Sequence, residues 1–423
     1  MERIRSSTDR QQWLIWGLIA LTPVALAAAS WNPAGTYEPV QNWARLYGAP
    51  TVIVELIVFV YAVFSGANPL RFLGSLPLWG KVALGVLVAI AFSTAALVAP
   101  FPERAITWTF CSLVQLLFGL SVASLASGTG SGSRLAIWRA MLAGLGGHLL
   151  LLILFVDAAL NKGTLNWEFF GLGGTNIRQV GFYSVVGAGA SLGLAATEAR
   201  ARLRAAWVIS AAVMLALTFW SGTRGALVAT VVAYGVGAIL LPAFRSVSAW
   251  VSLVIGMIGG ASLSLVGPIP NPLYGIVRLG VSSSRNSTDV TSGRFDMWSS
   301  AWQAILQRPW FGRGAGQYFT VVHDQLASFN HPHNIVLQVL FQWGFVGAAC
   351  YFSLAAFLIW RVLDAMKLPQ RADAPALLVV TSLVTMSFYE GSLFHNYPTM
   401  MIAFALSLII APARSAARHR TAA

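Results

Sequence analysis

His331-Pro332-His333-Asn334-Ile335-Val336-Leu337-Gln338-Val339-Leu340 marks the point where a polar segment gives way, with no linker, to an apolar run. The polar side of that boundary reaches back to Pro268. It is the one long mixed segment in a chain otherwise built of apolar runs. It carries Arg278, Arg285, Arg294, Arg308 and Arg313. A strongly basic segment with a histidine pair, held against a membrane-length apolar run, suggests an anionic substrate handled at a membrane surface.

Outside that segment the composition decides the class. Of the 423 residues, 57% are hydrophobic and only 10% charged, against roughly a quarter charged in a soluble domain. The expectation is an all-α polytopic membrane protein forming one transmembrane domain over residues 1–423. Twelve apolar runs are visible, near 13–31, 50–66, 81–99, 105–126, 135–157, 180–197, 206–222, 225–243, 247–267, 334–362, 376–390 and 393–411, each read as a transmembrane helix. Residues 268–333 are read as a large periplasmic loop, inserted between the ninth and tenth spans and carrying short amphipathic helices. The N-terminus mimics a secretory signal, with Arg3, Arg5 and Arg10 ahead of an apolar run from Trp13; that run is 18 residues long and is read as an uncleaved first helix. Cys111 and Cys350 lie inside apolar runs and read as small buried hydrophobes.

Lysine and arginine placement sets an orientation. With the N-terminus inside, 17 of the 27 basic residues fall on inner segments, Arg134, Arg200, Arg202 and Arg204 among them. Half of the ten left outside lie in the 268–333 segment. Most of the net charge of +13 is therefore a topological bias toward anionic membrane lipids. It is not a nucleic-acid footprint, and no nucleic-acid partner is expected.

Two outer arginines stand apart from that rule. Arg178 precedes the sixth span, and Arg224 sits in Ser221-Gly222-Thr223-Arg224-Gly225, a turn tight enough to make the seventh and eighth spans antiparallel neighbours. An arginine there needs a partner, either a substrate anion or, on the plainer reading, a lipid phosphate reached by snorkelling. Farther on, Phe295, Trp298, Trp302, Ile305 and Leu306 recur at helical spacing. They predict an amphipathic helix from Arg294 to Gln307, capped by Thr291 or Ser292 and stopped by Pro309. A second short helix is expected around Gln317 to Ala327.

Asn334 is placed to cap the tenth span, which sets His333 at its N-terminus. The helix dipole there disfavours an imidazolium, so His333 is expected to be neutral and available as a base. A neutral base among arginines suits deprotonation of a hydroxyl that attacks a phosphate-activated carbon. The plainer reading makes His333 a capping or interfacial histidine. A metal site would use His331, His333, His323 and Asp324, but His-x-His spacing without further clustered ligands is weak, so no metal and no cofactor is expected.

These residues carry a resemblance. Ser221-Gly222-Thr223-Arg224-Gly225 at a span end, Arg294 followed by Trp298, Pro309 followed by Gly312-x-Gly314, and His333-Asn334 followed by Gly344-x-x-Gly347 together resemble the bacterial O-antigen ligases, within the O-antigen ligase and polymerase superfamily. The resemblance implies metal-independent, inverting transfer of O-antigen from undecaprenyl diphosphate to a sugar hydroxyl of lipid A–core. It also implies a multi-pass protein of the bacterial inner membrane with its site on the periplasmic face. His333 would be the base, while Arg224 and Arg294 would bind the diphosphate. Arg178, His331, Asn334 and Glu390 are further candidates, and His395 would line the same cavity. Relatives that polymerise O-antigen or glycosylate pilin share these motifs. Twelve spans also suit a secondary transporter, which would place ionisable residues near the midplane. Glu55 and His148 are the clear ionisable residues deep in apolar runs, and the polar investment lies in the outer segment instead, which favours an enzyme.

Overall fold

A computed structural model describes residues 2–34, 44, 47–127, 129–166, 172–268, 275–276, 294–320 and 330–411. Each apolar run carries a helix, and no strand occurs among the described residues. In chain order the helices are α1 (Glu2–Ala29), α2 (Ala49–Phe64), α3 (Leu78–Leu97), α4 (Pro102–Ala126), α5 (Ser131–Asn161), α6 (Val180–Thr197), α7 (Ala201–Ser221), α8 (Arg224–Leu240), α9 (Val247–Leu263), α10 (Arg294–Gln307), α11 (Ile335–Ala365), α12 (Asp373–Met386) and α13 (Asn396–Ile410). A single helical turn, Arg71–Gly74, links α2 to α3.

Seven helices are long and apolar enough to cross a membrane: α1, α3, α4, α5, α6, α7 and α11. The other five apolar helices, α2, α8, α9, α12 and α13, are shorter. They fall below the roughly 20 residues that cover a 30 Å hydrocarbon core at 1.5 Å per residue. By length and composition, seven of the twelve expected spans are candidates to cross a membrane.

Small residues place α6 at the centre. It is buried from Val180 to Ala195, with α7, α8 and α12 packed around it. Among lipid tails, helices associate through close packing, and small side chains let backbones approach. A Cβ on Gly193 would lie 2.5 Å from the Pro375 Cα in α12, and one on Gly187 would lie 2.5 Å from the Met214 Cγ in α7. The tight turn at Gly222 does join α7 to α8, but the pair are not the close neighbours expected. Instead α8 packs on α12 and α6, while α7 packs on α6 and α9. Arg134 also departs from its topological reading. It is buried at the start of α5 and donates to the carbonyls of Ala126, Leu408 and Ala411 at 3.1, 2.7 and 2.9 Å, satisfying the otherwise unmatched C-terminal ends of α4 and α13.

Between α9 and α11 the amphipathic helix α10 forms over the predicted residues, Arg294–Gln307. The face it turns to the protein is not the aromatic one. Met297, Ala301, Ala304 and Ile305 are buried, whereas Phe295, Trp302 and Leu306 stand exposed. Its cap candidates Thr291 and Ser292 lie outside the described residues, as do His323, Asp324 and residues 321–329 of the expected second helix. Of that helix, a single 3₁₀ turn, Tyr318–Thr320, is described.

Helix α11 is broken at Gly344, whose φ of 64° and ψ of −169° leave the helical region. The break strands backbone groups on both sides, and residues 309–314 satisfy them. Arg313 and Gly314 N–H groups donate to the Phe341 and Gln342 carbonyls at 3.0 and 2.9 Å. In return, the Phe345 and Val346 N–H groups reach the Pro309 and Trp310 carbonyls at 2.7 and 3.2 Å. A Cβ on Gly344 would sit 2.3 Å from the Trp310 carbonyl carbon. The strap after α10 and the first turns of α11 are therefore one interlocked unit, which fixes α10 beside the start of α11.

Candidate functional site

The site is built on residues 330–334, the turn that enters α11. Asn334 caps the helix, its Oδ1 accepting from the Val336 and Leu337 N–H groups at 3.0 and 3.1 Å. Its Nδ2 donates to the Phe388 carbonyl at 3.2 Å, and the Ile335 N–H donates to the Ser387 carbonyl at 2.9 Å. The entry turn is thereby tied to the turn that follows α12. From α10, Trp298 Nε1 donates to the Pro332 carbonyl at 3.0 Å. His333 itself takes φ 51° and is the one non-glycine residue with positive φ among the described residues. That left-handed backbone is uncommon for a side chain of this size and concentrates at functional sites. His331 is buried, and its Nδ1 accepts the His333 N–H at 3.2 Å. The two rings lie 4.1 Å apart, and the His331 ring rests on Gly391, where a Cβ would fall 2.0 Å from its Cε1.

Glu390 joins the parts. The apolar run 376–390 suggests that Glu390 ends a span, yet α12 stops at Met386, leaving both Glu390 and His395 in the connection to α13. One carboxylate oxygen pairs with Arg294 Nη2 at 2.9 Å, and the other lies 3.8 Å from His333 Nδ1. Burial, then the positive charges of Arg294 and Arg178, hold the His333 ring down at about 3. At neutral pH the 3.8 Å approach is thus a carboxylate facing an uncharged imidazole. An Nδ1–H directed at the carboxylate is the tautomer that leaves Nε2 as the base. His395 is likewise held at about 3 by burial and then by His333, against a smaller opposing pull from Glu390. His331 is pushed well below the ordinary histidine range by burial and then by its two histidine neighbours.

The arginine turn arrives from the other side. Tyr389 OH donates to the Gly225 carbonyl at 3.4 Å, and a Cβ on Gly225 would meet Tyr389 and Glu390 at 2.9 and 3.0 Å. Thr223 Oγ1 donates to the Arg178 carbonyl at 3.1 Å. Beyond Arg178, Gln179 Nε2 donates to His395 Nε2 at 3.1 Å. The backbone of the Arg224 turn, Arg178, Arg294, His331, His333, Asn334, Glu390 and His395 therefore belong to one cluster. Among the described residues no group of three or more His, Cys, Asp or Glu side chains is arranged to hold a metal ion.

Sequence reasoning named Glu390 as a candidate but missed how it joins the others, and it missed Tyr389, Gln179 and Gly391. Glu390 read as a lining residue rather than as the shared partner of Arg294 and His333, and Tyr389, Gln179 and Gly391 carried no signal at all. A helix stop before Tyr389-Glu390-Gly391-Ser392 was the available cue, because Gly391 and Ser392 suit a turn better than an apolar helix interior.

Residues 209–352, about a third of the chain, match a family model described as Wzy_C, O-antigen ligase. Arg224, Arg294, His331, His333 and Asn334 fall inside the match, while Arg178, Glu390 and His395 fall outside it. A search of curated proteins found no match.

Proposed function

We propose, from membership of the O-antigen ligase superfamily, that this chain transfers a glycan from a polyprenyl diphosphate to a sugar hydroxyl. The donor is read as undecaprenyl diphosphate-linked O-antigen and the acceptor as lipid A–core, met on the periplasmic face of the inner membrane. The observation that carries the mechanism is the bridging of Arg294 and His333 by Glu390. His333 Nε2 removes the proton from the acceptor hydroxyl as that oxygen attacks the anomeric carbon. The anomeric carbon–oxygen bond to the diphosphate breaks with inversion. Arg224 and Arg294 take up the charge of the departing diphosphate through planar, charge-assisted hydrogen bonds. Glu390 lies on the Nδ1 side of His333 and faces the imidazolium as it forms.

Substituting the base is the test. His333→Ala should cut single-turnover transfer by about 10²–10⁴-fold, the usual effect of losing a general base. Binding of the undecaprenyl diphosphate donor should survive, and His331→Ala should be milder. Wild-type turnover by His333→Ala, with both substrates saturating, would make His333 structural. Ligase and polymerase are separated by the glycolipid that accumulates in cells lacking the chain. Full-length polymer on undecaprenyl diphosphate identifies the ligase, and single repeats identify the polymerase.

A further inference from the structure

A further arginine lies on the His331 side of the histidine pair. Helix α4 presents Arg104 and Trp108 one turn apart on one face, the i, i+4 spacing. Trp108 stacks on Phe394 at 4.5 Å, and Phe394 stacks on His331 at 4.6 Å. One turn earlier, Arg104 Nη2 donates to Asn330 Oδ1, the residue before His331, at 3.0 Å. The guanidinium carbon stands 4.0 Å over the Phe319 ring, and Phe319 lies 5.6 Å from Phe101. Gln317 locks this corner, accepting from the Phe101 N–H at 3.0 Å and donating to the Phe101 carbonyl at 3.1 Å.

The arrangement holds a charge in place without neutralising it. The arginine and lysine ion pairs with carboxylates are Arg294 with Glu390 and Lys367 with Asp364, so Arg104 pairs with no carboxylate among the described residues. Asn330, its hydrogen-bonded side-chain partner, is neutral and occupies one of the five N–H donors of a guanidinium. A guanidinium laid on an aromatic face keeps its planar fork free for a bidentate phosphate or carboxylate. Phe101 is 53% exposed directly beside it. An open aromatic ring next to a fixed cation suits a sugar ring that bears an acidic group, because the C–H face of the sugar lies on the ring while the acid meets the fork.

We propose that Arg104, with Phe101 and Phe319, is a subsite for an anionic substituent, a phosphate or a carboxylate, on the acceptor sugar. The inference rests on the glycosyl-transfer reading and adds to it what the acceptor must carry. The donor diphosphate is assigned to Arg224 and Arg294, so the two charges are read by separate arginines on either side of the histidine pair.

The test uses the full chain, purified, with two acceptors: phosphorylated lipid A–core glycolipid and the same glycolipid after phosphatase treatment. Acceptor binding is measured without donor, and initial rates are measured with each substrate varied in turn. Wild type should bind the phosphorylated acceptor about ten- to a hundredfold more tightly than the treated one, the range expected for a hydrogen bond to a charged group. Arg104→Gln should erase that preference by weakening binding of the phosphorylated acceptor alone, with the donor KM unmoved. Arg104→Lys, which keeps the charge without the fork, should restore part of it. Equal loss on both acceptors would make Arg104 structural, and a raised donor KM would assign it to the donor; either result overturns the subsite. An unchanged preference for the phosphorylated acceptor in Arg104→Gln, or competition by phosphatidylglycerol vesicles as strong as by acceptor, also overturns it. Preferential acceptor binding by a wild-type protein that transfers nothing would leave the subsite standing and remove the proposed reaction.

Discussion

Glu390→Gln keeps the shape of the side chain and removes its charge, which isolates what the carboxylate does. When His333 takes a proton it becomes an imidazolium with a carboxylate oxygen 3.8 Å away. At an effective dielectric of about 20, that attraction is on the order of 4 kcal/mol. Arg294 shares the same carboxylate at 2.9 Å and offsets part of it. The net loss should be roughly 1.5–3 kcal/mol, or about ten- to a hundredfold in rate. The effect on the donor runs the other way. Arg294, released from its carboxylate, meets the diphosphate without first breaking an ion pair, so donor affinity should hold or rise. Single-turnover transfer with both substrates saturating gives the first quantity, and binding of labelled undecaprenyl diphosphate gives the second. An unchanged rate, or a loss of donor binding as large as the loss of rate, would refute the bridging role.

The remaining expectations follow from the same geometry. Arg294→Lys should be nearly as harmful as Arg294→Ala, because lysine lacks the planar fork; full transfer by the lysine variant would reduce Arg294 to a general charge. Without substrate His333 is held neutral down to about pH 3, so kcat/KM should show no acid limb near pH 6.5, and a limb there would place the base elsewhere. His333 and His395 bind fewer protons folded than unfolded between about pH 3 and the ordinary histidine value of 6.5. Thermal unfolding temperatures should therefore fall as pH drops through that window, and a rise would contradict the burial of these rings. Gly344→Ala combines a positive φ with a Cβ pressed on the Trp310 backbone. It should lower stability by more than the roughly 1–3 kcal/mol of a side chain held in that glycine-only backbone region and reduce transfer with it, and a neutral outcome would mean that the strap is not locked to α11.

Much of the fold was legible because periodicity is local. The spacing from Trp298 to Ile305 and the stop at Pro309 located α10 to the residue. Its facing was not legible. In a membrane protein an apolar stripe meets either lipid or protein, and here the smaller residues Ala301 and Ala304 face inward while Trp302 faces out. Gly312-x-Gly314 and Gly344-x-x-Gly347 were visible as motifs, but their meeting at the break in α11 is tertiary and leaves no trace in spacing. Arg134 counted toward orientation like any other basic residue, since nothing nearby in the chain announces the helix ends it binds. Among site residues, Arg294 and His333 were legible from their surroundings, and Glu390 was obscured by the apolar run leading into it.

The interruption of α11 also acts as a depth gauge. Beyond Gly344, residues 345–365 contribute 21 helical residues, a rise of about 31 Å, which matches the hydrocarbon thickness of a bilayer. The nine residues before the break, 335–343, are then surplus to crossing and rise about 14 Å further. With a bilayer seated over residues 345–365, that surplus would carry His333 above the acyl chains, with Gln338 and Gln342 on the pedestal beneath it. In the proposed reaction a glycan held by a lipid-bound diphosphate has to leave sideways, and the extra height would provide headroom that a helix ending at the membrane surface would deny it.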